Sequence, residues 1–372
     1  MSERFDVAVI GAGVMGATTA LFLSRGGMKV ALIDRGELCR EASGVNAGTL
    51  TLHMTRAALI PYAREGWRMW TTAPEWLGGS VDVVPTAGLS LAFTEAECAV
   101  LEKRAAVRRE HGADIRIVDP ARAMEVEPGL NPQLLKAAYC ATDGYASATL
   151  TGRVYRQALT QAGATLFEQR AVAGIDAGGG VFAIRDKDGS AWRASRVVLA
   201  GGVWLGEMFA WLGVTIAVKC LINQLIVTER LRPVMRTVLS VASGLLSLKQ
   251  FANGTVLIGG GWQGLGDPVR GGIGTVPDNL IGNLRLARWT VPALAEARIA
   301  RIWLGLEAET ADALPLLGPV PGVPDAYVIG SVHSGYTSGP YMGKLLADSI
   351  LGREPAHPLF APSRLVGVPL PQ

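Results

Sequence analysis

Residues 5–35 read FDVAVIGAGVMGATTALFLSRGGMKVALIDR, and the order of residue types in this stretch decides the fold. Asp6 to Ile10 is a short, valine-rich run of the kind that forms a strand buried on both faces. It ends in Gly11-Ala12-Gly13-Val14-Met15-Gly16, and a helical pattern (Ala17, Ala20, Leu21, Leu23) follows at once. Lys29 to Ile33 reads as a second buried strand that closes on Asp34, with Arg35 beside it. Strand, glycine turn, helix, strand and acid in this order describe a dinucleotide-binding unit, with the acid at the expected distance of ~20 residues. Gly11 permits the tight turn, Gly13 lets the backbone approach a pyrophosphate, and Gly16 lets helix and strand pack closely. Val14 and Met15 open the helix, whose free N–H groups and positive dipole end attract phosphates. Asp34 is placed to accept hydrogen bonds from a ribose diol. The motif alone is compatible with a nicotinamide or a flavin dinucleotide.

Bulk properties narrow the class. At 372 residues the chain is long for one core, so two domains, interleaved or sequential, are expected. It is 49% hydrophobic and 18% charged, which suits a well-buried globular enzyme. A net charge of +3 is too balanced for a nucleic-acid surface. Cys39, Cys98, Cys140 and Cys220 are scattered, without a Cys-x-x-Cys pair, which points to a reducing cytoplasm and excludes a locally spaced metal or iron–sulfur site. His53, His111, His333 and His357 also stand far apart, so no metal is expected. The start, Met1-Ser2-Glu3-Arg4, enters a strand and does not read as a targeting segment. The most apolar later run, 201–218, contains Glu207 and several glycines, and reads as soluble core, not as a membrane span.

Further along, residues 41–50 place Ser43, Ala47, Gly48 and Thr49 around Asn46, a loop small enough to crowd backbone N–H groups against a flat or anionic ligand. Residues 56–75 have helical spacing, and Thr94 to His111 is a helix with a Thr94…Glu97 start and a solvated charged face. A helix over 149–163 leads into a meander of short strands that includes Val172 and turns at Asp188-Gly189. Arg196 to Trp204 is a second buried strand, ending in Ala200, Gly201 and Trp204 at a sheet's carboxyl edge. Antiparallel strands are expected over 219–229, 245–251 and 255–260, a helix over 278–289, and strands over 301–307 and 326–330. Residues 331–340 read as a polar glycine loop, and 343–351 as a closing helix. The fold class is α/β: a discontinuous Rossmann-like domain (1–80, 145–215 and 300–372) plus a mixed, mostly antiparallel β-sheet substrate domain (81–144 and 216–299).

These pieces, in this order, resemble the FAD-dependent amino-acid and amine oxidoreductases of the D-amino-acid oxidase type. ASGVNAGTL (42–50) resembles the family's loop beside the FAD pyrophosphate and flavin, and RVVLAGGVW (196–204) its strand under the flavin. NQLIVTERL (223–231) is similar to a strand bordering the substrate cavity, and RIWLGLEAETADALPLLGP (301–319), with Gly305, to its arginine/tryptophan strand. GSVHSGYTSGPYMGKLLAD (330–348), with Gly335, Tyr336 and Thr337, resembles the loop and helix that close over the flavin. The resemblance implies FAD as cofactor, and hydride transfer from an amine carbon to flavin N5, leaving an imine that hydrolyses. It also implies a departure. Where glycine-oxidising members carry two arginines that hold the substrate carboxylate, this chain has Glu307 and His333. Each lost charge-assisted bond is about 1.5–3 kcal/mol, so a small glycine-like substrate is disfavoured and a cation or secondary amine is favoured. Glu307 and His333 are therefore expected to face the substrate as catalytic residues, together with His53, a few residues past the flavin loop. The flavin subunits of opine, hydroxyproline and proline dehydrogenases look nearest in pattern, which implies partner redox subunits as an alternative to a self-sufficient enzyme.

Overall fold

The computed structural model describes residues 4–371; Met1, Ser2 and Glu3, read above as the approach to the first strand, lie outside them. Arg4–Ile10 sits at the centre of an eight-stranded sheet, paired in parallel with Val30–Ile33 on one side and with Ala191–Leu199 on the other. Burial on both faces explains its apolar run: Val7, Ala8 and Val9 are inaccessible to solvent. Thr165–Phe167 extends the parallel order beyond Val30–Ile33, and Ala326–Gly330 pairs in parallel with Ala191–Leu199. The meander Val172–Gly178 and Val181–Asp186 is antiparallel and joins the same sheet. The strand read from Arg196 to Trp204 starts earlier and ends sooner, running Ala191–Leu199, with a short 3-10 turn at Gly202–Trp204. Its N-terminal half alternates exposed and buried positions, and its C-terminal end is fully buried.

A second eight-stranded sheet follows the order Ile299–Glu309, Lys219–Thr228, Val256–Gly259, Ser247–Gln250, Val238–Val241, Gly88–Ala92, Lys136–Cys140, Ile115–Val118. One pair, Val238–Val241 with Gly88–Ala92, is parallel; the others are antiparallel. Ile299–Glu309 lies against Lys219–Thr228 along its whole length, from Glu309 opposite Lys219 to Ile299 opposite Thr228. The boundary expected at residue 300 therefore cuts this strand from its sheet. Nothing local in the sequence records so distant a partner.

The closing helix runs Gly335–Ile350, so most of the stretch read as a polar loop is helical. Glycines and Pro340 disguise it. Gly339 and Gly343 are glycines because the helix packs against Val14–Arg25: a Cβ would lie 2.9 Å from Val14 Cγ1 and 2.7 Å from Thr18 Cβ, respectively. Pro340 has no N–H for the carbonyl of Tyr336, four residues back. Trp70 Nε1 donates to that carbonyl at 2.7 Å, while its ring stacks on Tyr336 with centroids 4.7 Å apart. On Glu95–Glu110 the expected cap is present: Glu97 N donates to Thr94 Oγ1 at 3.2 Å, and Thr94 N donates to Glu97 Oε2 at 3.1 Å. No helix of the described residues is long and apolar enough to cross a membrane, and all four cysteines are free.

Trp70→Phe keeps the stacked ring and removes the donor to the Tyr336 carbonyl. The expected loss is about 1–3 kcal/mol of unfolding free energy, the cost of an unsatisfied buried acceptor. Denaturant unfolding of the two proteins measures it, and equal stabilities would show that the carbonyl finds another partner.

Candidate functional site

A cleft of about 1170 Å³ opens at the carboxyl edge of the first sheet and continues beneath the second. Gly11, Gly13, Val14, Met15 and Gly16 line it, as do Asp34 and Arg35. Gly11 has φ +109°, and a Cβ there would lie 2.3 Å from Ala200 O, so no other residue fits the turn. Ser43 Oγ accepts from Val14 N at 2.9 Å and pins the 42–50 loop to the start of the helix. Asp34 accepts from Ala12 N at 2.6 Å and from Gly36 N at 2.7 Å. Burial raises its pKa, against the pull of these two N–H groups and of Arg35. The Arg35 guanidinium lies 4.2 Å from the centre of the Trp204 ring, a cation–π contact between two wall residues.

Asn46, Ala47 and Thr49 also face the cleft, as do Val172, Ala200, Gly201, Gly305, Gly335 and Tyr336. Asn46 secures its own loop, donating to Ser43 O at 2.7 Å and accepting from Gly48 N at 2.6 Å. Two expected members of the wall lie outside it. Gly48 (φ +67°) packs against the chain, where a Cβ would meet Ala146 O at 2.1 Å. Thr337 is buried and donates to Thr49 O at 3.2 Å, supporting the wall from behind.

Glu307 and His333 meet on the wall beneath the second sheet. His333 Nδ1 is 2.6 Å from Glu307 Oε1, and Asn223 Nδ2 donates to Glu307 Oε2 at 2.8 Å. Asn223 is held in turn by Gln263 Nε2, which donates to its Oδ1 at 2.7 Å. Burial alone would raise the Glu307 pKa, but the hydrogen bond and charge of His333 and the Asn223 amide outweigh it and hold the carboxyl below its ordinary range. The same hydrogen bond raises the pKa of His333, against burial. Nδ1–H is thereby committed to Glu307, and Nε2 is the nitrogen left to exchange a proton.

His53 is elsewhere. It is buried, with Nδ1 on Asp143 Oδ2 and Nε2 3.1 Å from Ser240 Oγ, and it does not line the cleft. The expectation of a cavity-facing His53 is corrected: Gly88 packs directly on the His53–Asp143 pair, which bridges the loop to the second sheet. Other wall residues escape the sequence reading. Gln263 and Arg56 are isolated polar residues with no motif around them. Arg104 and Arg108 do carry a signal, an i,i+4 spacing, but it reads as part of a solvated face. Behind the wall, and not lining the cleft, Lys249 is 1% exposed, with Nζ 2.5 Å from Thr49 Oγ1, and burial pushes its pKa down to about 7. Its site is legible only once Ser247–Gln250 is seen as an inner strand. Among the described residues no His, Cys, Asp and Glu cluster could hold a metal.

A glycine turn between parallel strands, opening on a cleft roofed by a second large sheet, defines a dinucleotide-binding enzyme. The cleft exceeds the ~300–1,000 Å³ of ordinary ligand pockets, as a dinucleotide together with a substrate requires. The chain belongs to the FAD dependent oxidoreductase (DAO) family, whose pattern matches residues 6–349. It is 28% identical to a glycine oxidase of Geobacillus kaustophilus over 99% of both chains. The solved structure of glycine oxidase from that organism superposes with a TM-score of 0.88 at 25% identity, covering 96% of this chain and 97% of the other. The chain is also 25% identical to an opine oxidase subunit of Rhizobium meliloti over 93% of each. FAD is the cofactor, and the residues present fit it: the turn 11–16 with Ser43 would hold the diphosphate, Asp34 would face the ribose, and the small residues Ala200, Gly201 and Gly305 would leave room for a flat ring.

Two outcomes follow from the buried charges. The unfolded chain protonates Lys249 near ~10.4 and the folded one near 7, so the unfolded state binds more protons across that interval and stability rises with pH through it. Lys249→Met removes this dependence and raises the melting temperature at pH 7; thermal scans between pH 7 and 10 that stay parallel to the parent would contradict it. For the pair, the stabilisation from raised His333 is complete below about 6.5 and fades as pH climbs through its folded value. That from lowered Glu307 is present above about 4.3 and fades as pH falls through its folded value. Glu307→Gln brings the His333 titration, followed by imidazole proton NMR, down to the ordinary value or below, and an unmoved titration would uncouple the two groups.

Proposed function

We propose that this enzyme oxidises the carbon–nitrogen bond of an amino acid, imino acid or opine. FAD, when bound, would supply the two-electron acceptor for hydride from the carbon next to nitrogen, and water would hydrolyse the imine left behind. The observation that carries the reading is the Glu307–His333–Asn223 cluster on the same cleft as the glycine turn. Glu307, held ionised, offers a negative edge to a protonated or secondary amine and repels a carboxylate. In its neutral form His333 has Nε2 free to take the amine proton, and the raised pKa that Glu307 gives it makes it the stronger base for that transfer. The glycine oxidases and the opine oxidase among the relatives both support amine chemistry, and the replacement of carboxylate-binding arginines by Glu307 and His333 favours a larger, substituted amine.

A second reading has its own support in the likeness to one chain of a multi-chain opine oxidase: a flavin protein that passes electrons to partner redox subunits. In either reading the free thiols suit a reducing cytoplasm, the compartment we assign.

An anaerobic screen over amino acids, imino acids and opines tests both readings. Bleaching of the flavin bands by one of these classes is expected. A flavin that none of them reduces overturns the amine reading, and bleaching without turnover until partner chains are co-expressed selects the second. In the same assay Glu307→Arg raises affinity for simple amino acids roughly tenfold; unchanged affinity would remove Glu307 from the substrate's reach.

A further inference from the structure

We infer that Arg56, Arg104 and Arg108 form a carboxylate receptor in this cleft, and that the substrate is a secondary amine whose N-substituent carries a carboxylate to reach it. This rests on the amine oxidation proposed above and names its substrate class.

The three side chains line the same cleft as Glu307 and His333. Arg104 and Arg108 lie one helical turn apart on Glu95–Glu110 and so project from one face. A single main-chain contact anchors each: Arg104 Nη1 donates to Ala242 O at 2.6 Å, and Arg108 Nε donates to Thr55 O at 2.7 Å. Neither forms an ion pair among the described residues. Arg56, next to Thr55 in the chain, commits Nη2 to Glu309 at 2.8 Å, while its Nη1 is buried with no partner. Three guanidiniums thus line one cleft, and Glu309, the carboxylate ion-paired with Arg56, is already taken. Burial, and secondarily the neighbouring charge of Arg104, push the pKa of Arg108 down to about 10, against the opposing charge of Asp143.

A planar fork with free N–H groups is the preferred reader of a carboxylate, which it binds through two parallel hydrogen bonds. The arrangement is selective within the helix itself. Lys103 and Arg104 are both exposed, but only Arg104 lines the cleft, and Arg109 also lies off it, with Nη1 turned to Ile115 O at 3.3 Å. The helix therefore presents two cations to the cleft and directs the others away from it. Glu307 and the arginines line the same cleft, so it carries both signs of charge, and its complement is an amine with a negatively charged arm.

The test uses the full-length, flavin-loaded enzyme and two near-isosteric amines, N-(2-carboxyethyl)alanine and N-propylalanine, in anaerobic flavin reduction. The acidic arm is expected to lower the half-saturating concentration roughly tenfold or more. Arg104→Gln and Arg108→Gln each remove most of that advantage while the limiting reduction rate of the acidic amine changes by less than about threefold, a binding effect without a chemical one. Lys103→Gln retains the advantage, and Arg104→Lys recovers part of it; the flavin spectrum of each variant reports its folding. Equal half-saturation by the two amines, or an advantage that survives both glutamine variants, overturns the receptor. If neither amine reduces the flavin, the oxidation reading fails by itself. Titration of the flavin spectrum with the two amines then decides the receptor, which stands only if the acidic one binds more tightly and does so through Arg104 and Arg108.

Discussion

One close approach sets the geometry of the molecule. Gly11 passes so near Ala200 that a single methyl group would overlap its carbonyl, and this contact brings the ends of two neighbouring parallel strands together. The first strand can then turn directly into a helix whose N-terminus faces the cleft. Asp34, one strand away, closes the same turn from the other side through Ala12 N. A diphosphate site made of main chain demands this economy of side chains, because any bulk at the turn would occupy the ligand's place.

Around that fixed point the cleft is shaped by elements from distant parts of the chain. The strand Ile299–Glu309 carries Gly305, Glu307 and Glu309 along the wall, and Trp303 Nε1 ties it to Val45 O at 2.8 Å in the loop that also supplies Ser43. The closing helix delivers Tyr336 to the wall and is itself locked by Trp70 and by the glycine contacts with Val14–Arg25. The two sheets are therefore joined through the walls of the site, so that forming the cleft and consolidating the fold are one process.

The charges lining the cleft and buried behind it are arranged in opposition. Glu307 stays ionised because His333 and Asn223 offset its desolvation, whereas Lys249 is driven toward neutrality because Thr49 alone cannot. The arginines occupy a further stretch of wall, tied to carbonyls more than to carboxylates. The charged groups that do line the cleft, Glu307, His333 and the arginines, are what a charged substrate would compensate.

Local residue chemistry sufficed for the nucleotide half: a valine-rich strand, three spaced glycines and an acid at the second strand's end leave few alternatives, because each residue type answers a backbone requirement of its immediate surroundings. The capped helix at Thr94 was equally legible, since its two hydrogen bonds span three residues. The remainder of the site took shape only when remote segments met. Arg104 and Arg108 look like a solvated face until Thr55 and Ala242 fold onto them; His53 looks adjacent to the site until Asp143 and Ser240 draw it into the core; and Pro340 looks like a helix breaker until Trp70 supplies the missing donor. Each of these depends on a partner between 53 and 266 positions away, and a contact of that range leaves no periodicity in the chain to be read.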